Sequence, residues 1–126
     1  MDKETFERGM QVRRDMMGAE AAEKEWESAG DFDRPLQELV TTYCFGEIWG
    51  REELTRKSRS MLTIGMMMAA NRLGPLKIHI KGGIANGVTK TEIREIILHG
   101  AIYIGVAAAN EATRVAHEAF AELGLE

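Results

Sequence analysis

The ten residues Met61-Leu62-Thr63-Ile64-Gly65-Met66-Met67-Met68-Ala69-Ala70 carry no charge and are apolar around the full helical circumference. A helix that is apolar on every side must be covered on every side. The run is about half the length a membrane span requires. The chain has 126 residues, the size of one domain with a handful of helices. So few helices rarely enclose such a rod, and burial by a second subunit is the expectation.

The rest of the chain follows helix periods too, with two prolines and no alternating β-branched run. Phe6, Met10, Arg13 and Met17 form one stripe of a first helix that Gly18 can close. The segment from Gly18 to Asp33 is acidic and aperiodic apart from Trp26, and reads as a loop with at most one turn. Leu36, Leu39, Val40, Tyr43 and Cys44 fit a second helix with Pro35 near its start, where the missing N–H costs nothing. Gly46 to Gly50, carrying Glu47 and Trp49, reads as the next break.

The apolar third helix is expected from about Thr55 to Leu73. A fourth opens at Pro75, turns Leu76, Ile80, Gly83 and Ile84 inward and stops at Asn86-Gly87, a left-handed cap signal. Thr89-Lys90-Thr91-Glu92 is a capping box. Ile93, Ile96, Ile97, Gly100, Ala101 and Ile104 follow it as an inward stripe until Gly105. A last helix carries Ala108, Ala112, Val115, Ala116, Ala119, Phe120 and Leu123. The expected architecture is all-α, about six helices in one domain over 1–126, with its core in 35–123 and a helix and acidic loop in 1–34. Close helix–helix approach is expected at Gly65 and Gly100. For Gly82-Gly83, close packing and room for a ligand remain two open readings.

Composition narrows the function. Hydrophobic residues make up 44% and charged residues 29%, which excludes a disordered chain, and a net charge of -4 argues against nucleic acid. Cys44 is the only cysteine, so there is no intrachain disulfide and no Cys-x-x-Cys pair. The charged start Met1-Asp2-Lys3-Glu4 does not read as a secretory signal, so a cytoplasmic protein without membrane attachment is expected. No three residues show metal-ligand spacing.

Candidate chemistry centres on a few side chains. His79 sits at the edge of the fourth helix's apolar face. Arg59 enters the most apolar helix, where a guanidinium requires a carboxylate, internal or from a substrate. Glu47 beside Trp49 is either a carboxylate held from water, fit for acid or base work, or a partner of Arg51 or Arg59. Glu92, His99 and Tyr103 share a stripe that could equally be a solvated or interface flank, with Glu95 and His99 as an i, i+4 pair.

Taken together, these residues resemble the carboxymuconolactone decarboxylase family, in its short γ-carboxymuconolactone decarboxylase branch. The resemblance runs through Gln37-Glu38-Leu39-Val40-Thr41, Gly46-Glu47-Ile48-Trp49, Arg59-Ser60-Met61-Leu62-Thr63-Ile64 and His79. It continues in Asn86-Gly87-Val88-Thr89, Glu92-Ile93, Glu95, Ala101-Ile102-Tyr103 and Gly105-Val106-Ala107-Ala108-Ala109-Asn110. It implies a fold like the alkylhydroperoxidase AhpD, and a homohexamer built as a trimer of dimers. It also implies loss of CO2 from the small-molecule lactone 4-carboxymuconolactone without a cofactor. His79, Glu47 and Arg59 become the expected catalytic residues, with Trp49, Tyr103, Lys81 and His99 as substrate contacts.

Three departures cluster near the histidine or on neighbouring helices. Ile80-Lys81-Gly82-Gly83 replaces the usual Val-Arg-Ala-Ala, His99 replaces glutamine, and Ala107 replaces proline. They leave open a related enzyme acting on another lactone or carboxylic acid, or a non-catalytic helical oligomer. The peroxidase branch of the superfamily needs Cys-x-x-Cys, and here Arg72 and Pro75 hold the cysteine places, so thiolate chemistry is excluded from the expectation.

Overall fold

A computed structural model describes residues 2–125, and among them every regular element is helical, as the periodicity predicts. The helices group into two compact units, the first ending at Thr55 and the second beginning at Arg56.

In the first unit, α1 (Lys3–Met17) starts on an Asp2 cap that accepts from the Glu4 N–H. It packs against α2 and against the helix carrying Glu47. The acidic stretch expected as a loop is instead a helix, α2 (Ala19–Ser28), with Ala22 as its one buried residue. Alanine, glutamate and lysine are among the strongest helix formers, so propensity supports a helix that amphipathic periodicity does not reveal. Phe6 of α1 closes on Trp26 edge to face at 4.9 Å.

The next helix begins as α3 (Arg34–Leu39), with Pro35 in its first turn. It then widens without a break into nine π-helical residues, Val40–Ile48. The wider register shows in the Trp49 N–H, which donates to the Cys44 carbonyl five residues back at 3.0 Å. The break expected over Gly46 to Gly50 therefore starts only after Ile48. Two glycines explain how closely this helix crosses α1. A Cβ on Gly9 would lie 1.8 Å from the Thr41 carbonyl oxygen, and one on Gly46 would lie 2.4 Å from that of Thr5.

The second unit holds α4 (Arg56–Ala69), α5 (Leu73–Ala85), α6 (Lys90–Tyr103) and α7 (Val106–Glu122). Its core gathers Ile64 and Met68 of α4, Leu76 and Ile80 of α5, Ile93 of α6, and Ala112, Ala116 and Ala119 of α7. The helix ends follow the sequence signals. Gly87 at φ +95° and Gly105 at φ +120° terminate α5 and separate α6 from α7. The capping box is complete: the Glu92 N–H donates to the Thr89 hydroxyl at 3.0 Å, and the Thr89 N–H donates to Glu92 Oε1 at 2.9 Å.

The glycines of this unit divide. A Cβ on Gly100 would meet Met68 Cε at 2.6 Å, and one on Gly83 would meet Ile64 Cδ1 at 3.2 Å and Ser60 Cβ at 3.6 Å. Gly100 is thus a close approach as expected, and Gly83 is filled by the packing of α4 on α5. Gly65 corrects the expectation, because a Cβ there would meet nothing within 4 Å. The apolar α4 is only half covered: Ser60, Ile64 and Met68 are buried, while Leu62 and Met66 are exposed.

Candidate active site

Arg59 and His79 stand on α4 and α5, which pack against each other within the second unit. Arg59 lies one turn into α4 and is half-buried. Its Nε is buried with no hydrogen-bond partner. A guanidinium nitrogen in that condition carries a desolvation cost that an anionic acceptor would offset. Ser60, beside it, is fully buried and accepts from Asn86 Nδ2 at 3.0 Å. That bond ties the first turns of α4 to the end of α5, the two elements that position Arg59 and His79. By periodicity alone the sequence marks Asn86 as a helix-end signal and gives Ser60 no distinct role. Their presence in two of the family-like segments was the available hint.

His79 is half-buried, and desolvation holds its pKa below the ordinary 6.5. At neutral pH its ring is therefore uncharged, with one N–H to donate and one lone pair to accept. The helix register explains the burial. Leu76 and Ile80, on either side of His79 in sequence, are both buried in the core, and an α-helix places the intervening turn at the rim of that face.

Glu47 and Trp49 belong to the first unit. Glu47 is exposed in the last turn of the π-helical segment, and Trp49, which caps it, is buried at 6% exposure. The indole ring lies 6.2 Å from that of Phe45 at a tilt of 38°. Cys44, in the same segment, keeps exposed surface, yet partial burial of the thiol raises its pKa and favours the protonated form. Arg13 lies on the apolar stripe of α1, where the sequence alone gives it no role. It is buried, donates to Gln37 Oε1 and Thr41 Oγ1 at 3.1 and 2.9 Å, and meets Glu25 at 3.1 Å. It anchors α1 to α2 and to the helix bearing Glu47.

Three expected substrate contacts have other neighbours. Lys81 Nζ lies 2.8 Å from Glu122 of α7, and Lys77 meets the other oxygen of the same carboxylate at 2.8 Å. His99 and Tyr103 come together on α6 with ring centroids 5.0 Å apart. Both line a groove between α4 and α6 whose lining includes neither Arg59 nor His79. Among the described residues, no three His, Cys, Asp or Glu side chains converge as a metal site, and no helix is long and apolar enough to cross a membrane.

An uncharged histidine and a guanidinium with a free buried nitrogen, on two packed helices, suit a site that holds a carboxylate and exchanges a proton. Comparison with known proteins gives the family. The model of the carboxymuconolactone decarboxylase family matches residues 34–118, and the chain belongs to that family. It is 35% identical over 124 residues to the 4-carboxymuconolactone decarboxylase of Acinetobacter baylyi, covering 98% of this chain and 92% of that one. It is 41% identical over 112 residues to the nitrosuccinic acid decarboxylase of Metarhizium robertsii, covering 89% and 78%. An uncharacterized 15.0 kDa protein of Paracoccus denitrificans is 32% identical over 98 residues, covering 71% and 73%. Family and relatives together make this chain a decarboxylase, a carboxy-lyase.

Proposed function

We propose that the chain removes CO2 from 4-carboxymuconolactone to give 3-oxoadipate enol-lactone, a step of protocatechuate breakdown by the β-ketoadipate route. The observation that carries this reading is the near full-length similarity to an enzyme of that name, combined with the unsatisfied Arg59 Nε on the helix packed against His79. The leaving carboxylate sits on the ring carbon γ to an unsaturated lactone carbonyl. When its C–C bond breaks, the electron pair delocalises through the double bond into the carbonyl as a dienolate, and one proton then returns to carbon. The substrate supplies its own electron sink, so the reading invokes no cofactor.

The protein's tasks follow from that chemistry. Arg59 grips a substrate carboxylate, since a guanidinium can pair with it bidentately. The uncharged His79 donates its N–H as a hydrogen bond to the oxygen on which charge develops, and the proton that returns to carbon comes from solvent; such a donor is worth about 10²–10³-fold. Lys81, His99 and Tyr103 stay outside this proposal. Lys81 is engaged with Glu122, and in the groove holding His99 and Tyr103 the charged residues are Glu92 and Glu95, already paired with Lys57 and Arg94.

The higher identity to a nitrosuccinic acid decarboxylase favours a second reading of the same site. Loss of CO2 from the carbon bearing a nitro group leaves a nitronate, again a carbanion delocalised onto oxygen, and a second carboxylate remains for Arg59. Turnover of the two acids by the purified chain, measured side by side, separates the readings. The resemblance further supports a homohexamer, a trimer of dimers, working in the cytoplasm. The mass of the purified protein in solution tests the assembly.

A further inference from the structure

Gly83, one turn beyond His79 on α5, lies against α4 with room for a methyl group only if a neighbour gives way. A Cβ there would stand 3.2 Å from Ile64 Cδ1, 3.5 Å from Val88 Cγ2 and 3.6 Å from Ser60 Cβ. The last two are ordinary contacts, and the first requires a shift of a few tenths of an ångström. Ile64 is 1% exposed in the core, so its terminal methyl has little space to turn aside. Further along α5, the Asn86 amide donates to the Ser60 hydroxyl at 3.0 Å.

His79, Gly83 and Asn86 share one face of α5 by their helical spacing. Both residues that follow His79 on that face therefore bear on Ser60, next to Arg59 in the chain. The start of α4 meets the end of α5, so the two helices run antiparallel. His79 stands back from that contact by one turn, about 6 Å along the axis. The distance from Arg59 to His79 thus has two parts. The part along the helices is held by the Asn86–Ser60 bond, and the part across them by what stands at position 83.

We propose that Gly83 is a specificity-determining residue: by holding α5 close to α4 it sets the span between Arg59 and His79, and so the length of acid the site accepts. The proposal rests on the function proposed above, in which Arg59 holds a carboxylate and His79 meets the oxygen that takes the charge. In nitrosuccinate that oxygen belongs to a nitro group close to the retained carboxylate. In the lactone it lies farther off, across the ring. Relative to a residue with a Cβ, Gly83 therefore favours the shorter acid.

The test measures binding of succinate, glutarate and adipate, unreactive diacids of increasing length, to the wild-type chain and to Gly83→Ala by titration calorimetry. One methylene in a fitted site is worth about 10-fold or more, so the adipate-to-succinate affinity ratio is expected to rise at least about three-fold in Gly83→Ala. Adding Ile64→Val deletes the Cδ1 atom that the new methyl meets, and is expected to return the ratio to its wild-type value. A ratio that does not move in Gly83→Ala, or that the second substitution does not restore, overturns the role of Gly83 and leaves the Arg59 grip standing. A wild type that binds none of the three at millimolar concentration overturns the grip, and this proposal with it. Should Gly83→Ala fail to fold, Asn86→Ala releases the same helix ends without adding an atom. A raised ratio there supports the proposal, and an unchanged one contradicts it.

Discussion

The carbonyl oxygen of Thr41 occupies the space beside Gly9, 1.8 Å from where a Cβ would stand. Helix α1 and the π-helical segment therefore meet backbone to backbone, and the segment carrying Glu47 and capped by Trp49 is held by that contact. Main-chain atoms cannot rotate aside, so the separation must increase if a side chain is added. Gly9→Ala is expected to cost at least about 3 kcal/mol, the upper range for overpacking a core. Gly30→Ala, where a Cβ would meet nothing within 4 Å, should stay within about 0.5 kcal/mol. Urea unfolding of the two variants checks the contrast. Gly100→Ala should fall between them, because its obstacle is the flexible end of Met68.

The capping box at the start of α6 gives a milder prediction. Thr89→Ala removes the acceptor of the Glu92 N–H and should destabilise the protein by about 1 kcal/mol. Thr89→Ser keeps that acceptor and should lose much less. The comparison reads the hydrogen bond itself, since both side chains are small and position 89 is exposed.

These signals were legible because each is local. The Thr89–Glu92 box, Asn86-Gly87 and Gly105 are fixed by a few adjacent residues, and the helix ends fall where they indicate. The α2 helix escaped because it buries only Ala22, which leaves no apolar stripe for a period to expose. The π-helical segment escaped for the opposite reason. Its apolar residues fit a 3.6-residue period well enough to suggest a helix, but nothing in them announces the shift to i→i+5 bonding that carries the helix through Gly46 to Ile48. Close approach at Gly100 and open space at Gly65 are indistinguishable in sequence, since the difference lies in which helix stands opposite. At the site, His79 and Arg59 could be singled out as polar groups in apolar helices. Ser60 is silent in sequence because a serine's burial depends on the Asn86 amide 26 residues away.

Acid should weaken the fold in two separate steps. His79 is held below its ordinary 6.5 by desolvation, so as pH falls through 6.5 the unfolded chain takes up a proton that the folded chain does not. Stability therefore rises with pH across that window and is lost below it, levelling only under the folded pKa. The Lys77 and Lys81 ammonium groups hold Glu122 down at about 2 against an ordinary 4.5. Its contribution is present above 4.5 and is lost between 4.5 and about 2. Urea midpoints from pH 7.5 to 3 should show both slopes. His79→Gln should flatten the upper slope alone, and Glu122→Gln should reduce the lower one, to which the lowered Asp2 and Glu92 carboxyls also contribute.

Arg59 is assigned to grip a carboxylate, which predicts how its variants divide. Arg59→Ala should lower kcat/KM by about 10²-fold or more, mostly through KM, since removing a charge-assisted pair costs about 3 kcal/mol. Arg59→Lys keeps the charge but loses the planar fork, and should recover only part of the loss. Steady-state kinetics of the two variants on one dicarboxylate substrate make the measurement. A kcat/KM unchanged in Arg59→Lys would show that no bidentate grip exists.

Everything proposed for the site turns on His79 serving the loss of CO2 from 4-carboxymuconolactone. The direct measurement generates this labile lactone in situ from 3-carboxymuconate with a cycloisomerase. It then follows CO2 release and enol-lactone formation by wild type and His79→Ala, with nitrosuccinate in a parallel series. Rapid wild-type turnover of the lactone is expected, with a fall of about 10²-fold or more in His79→Ala, the scale of losing one hydrogen-bond donor to a developing oxyanion. Turnover of nitrosuccinate alone would move the same site to the second substrate. A His79→Ala enzyme within a few-fold of wild type on either acid would show that His79 takes no part in the reaction.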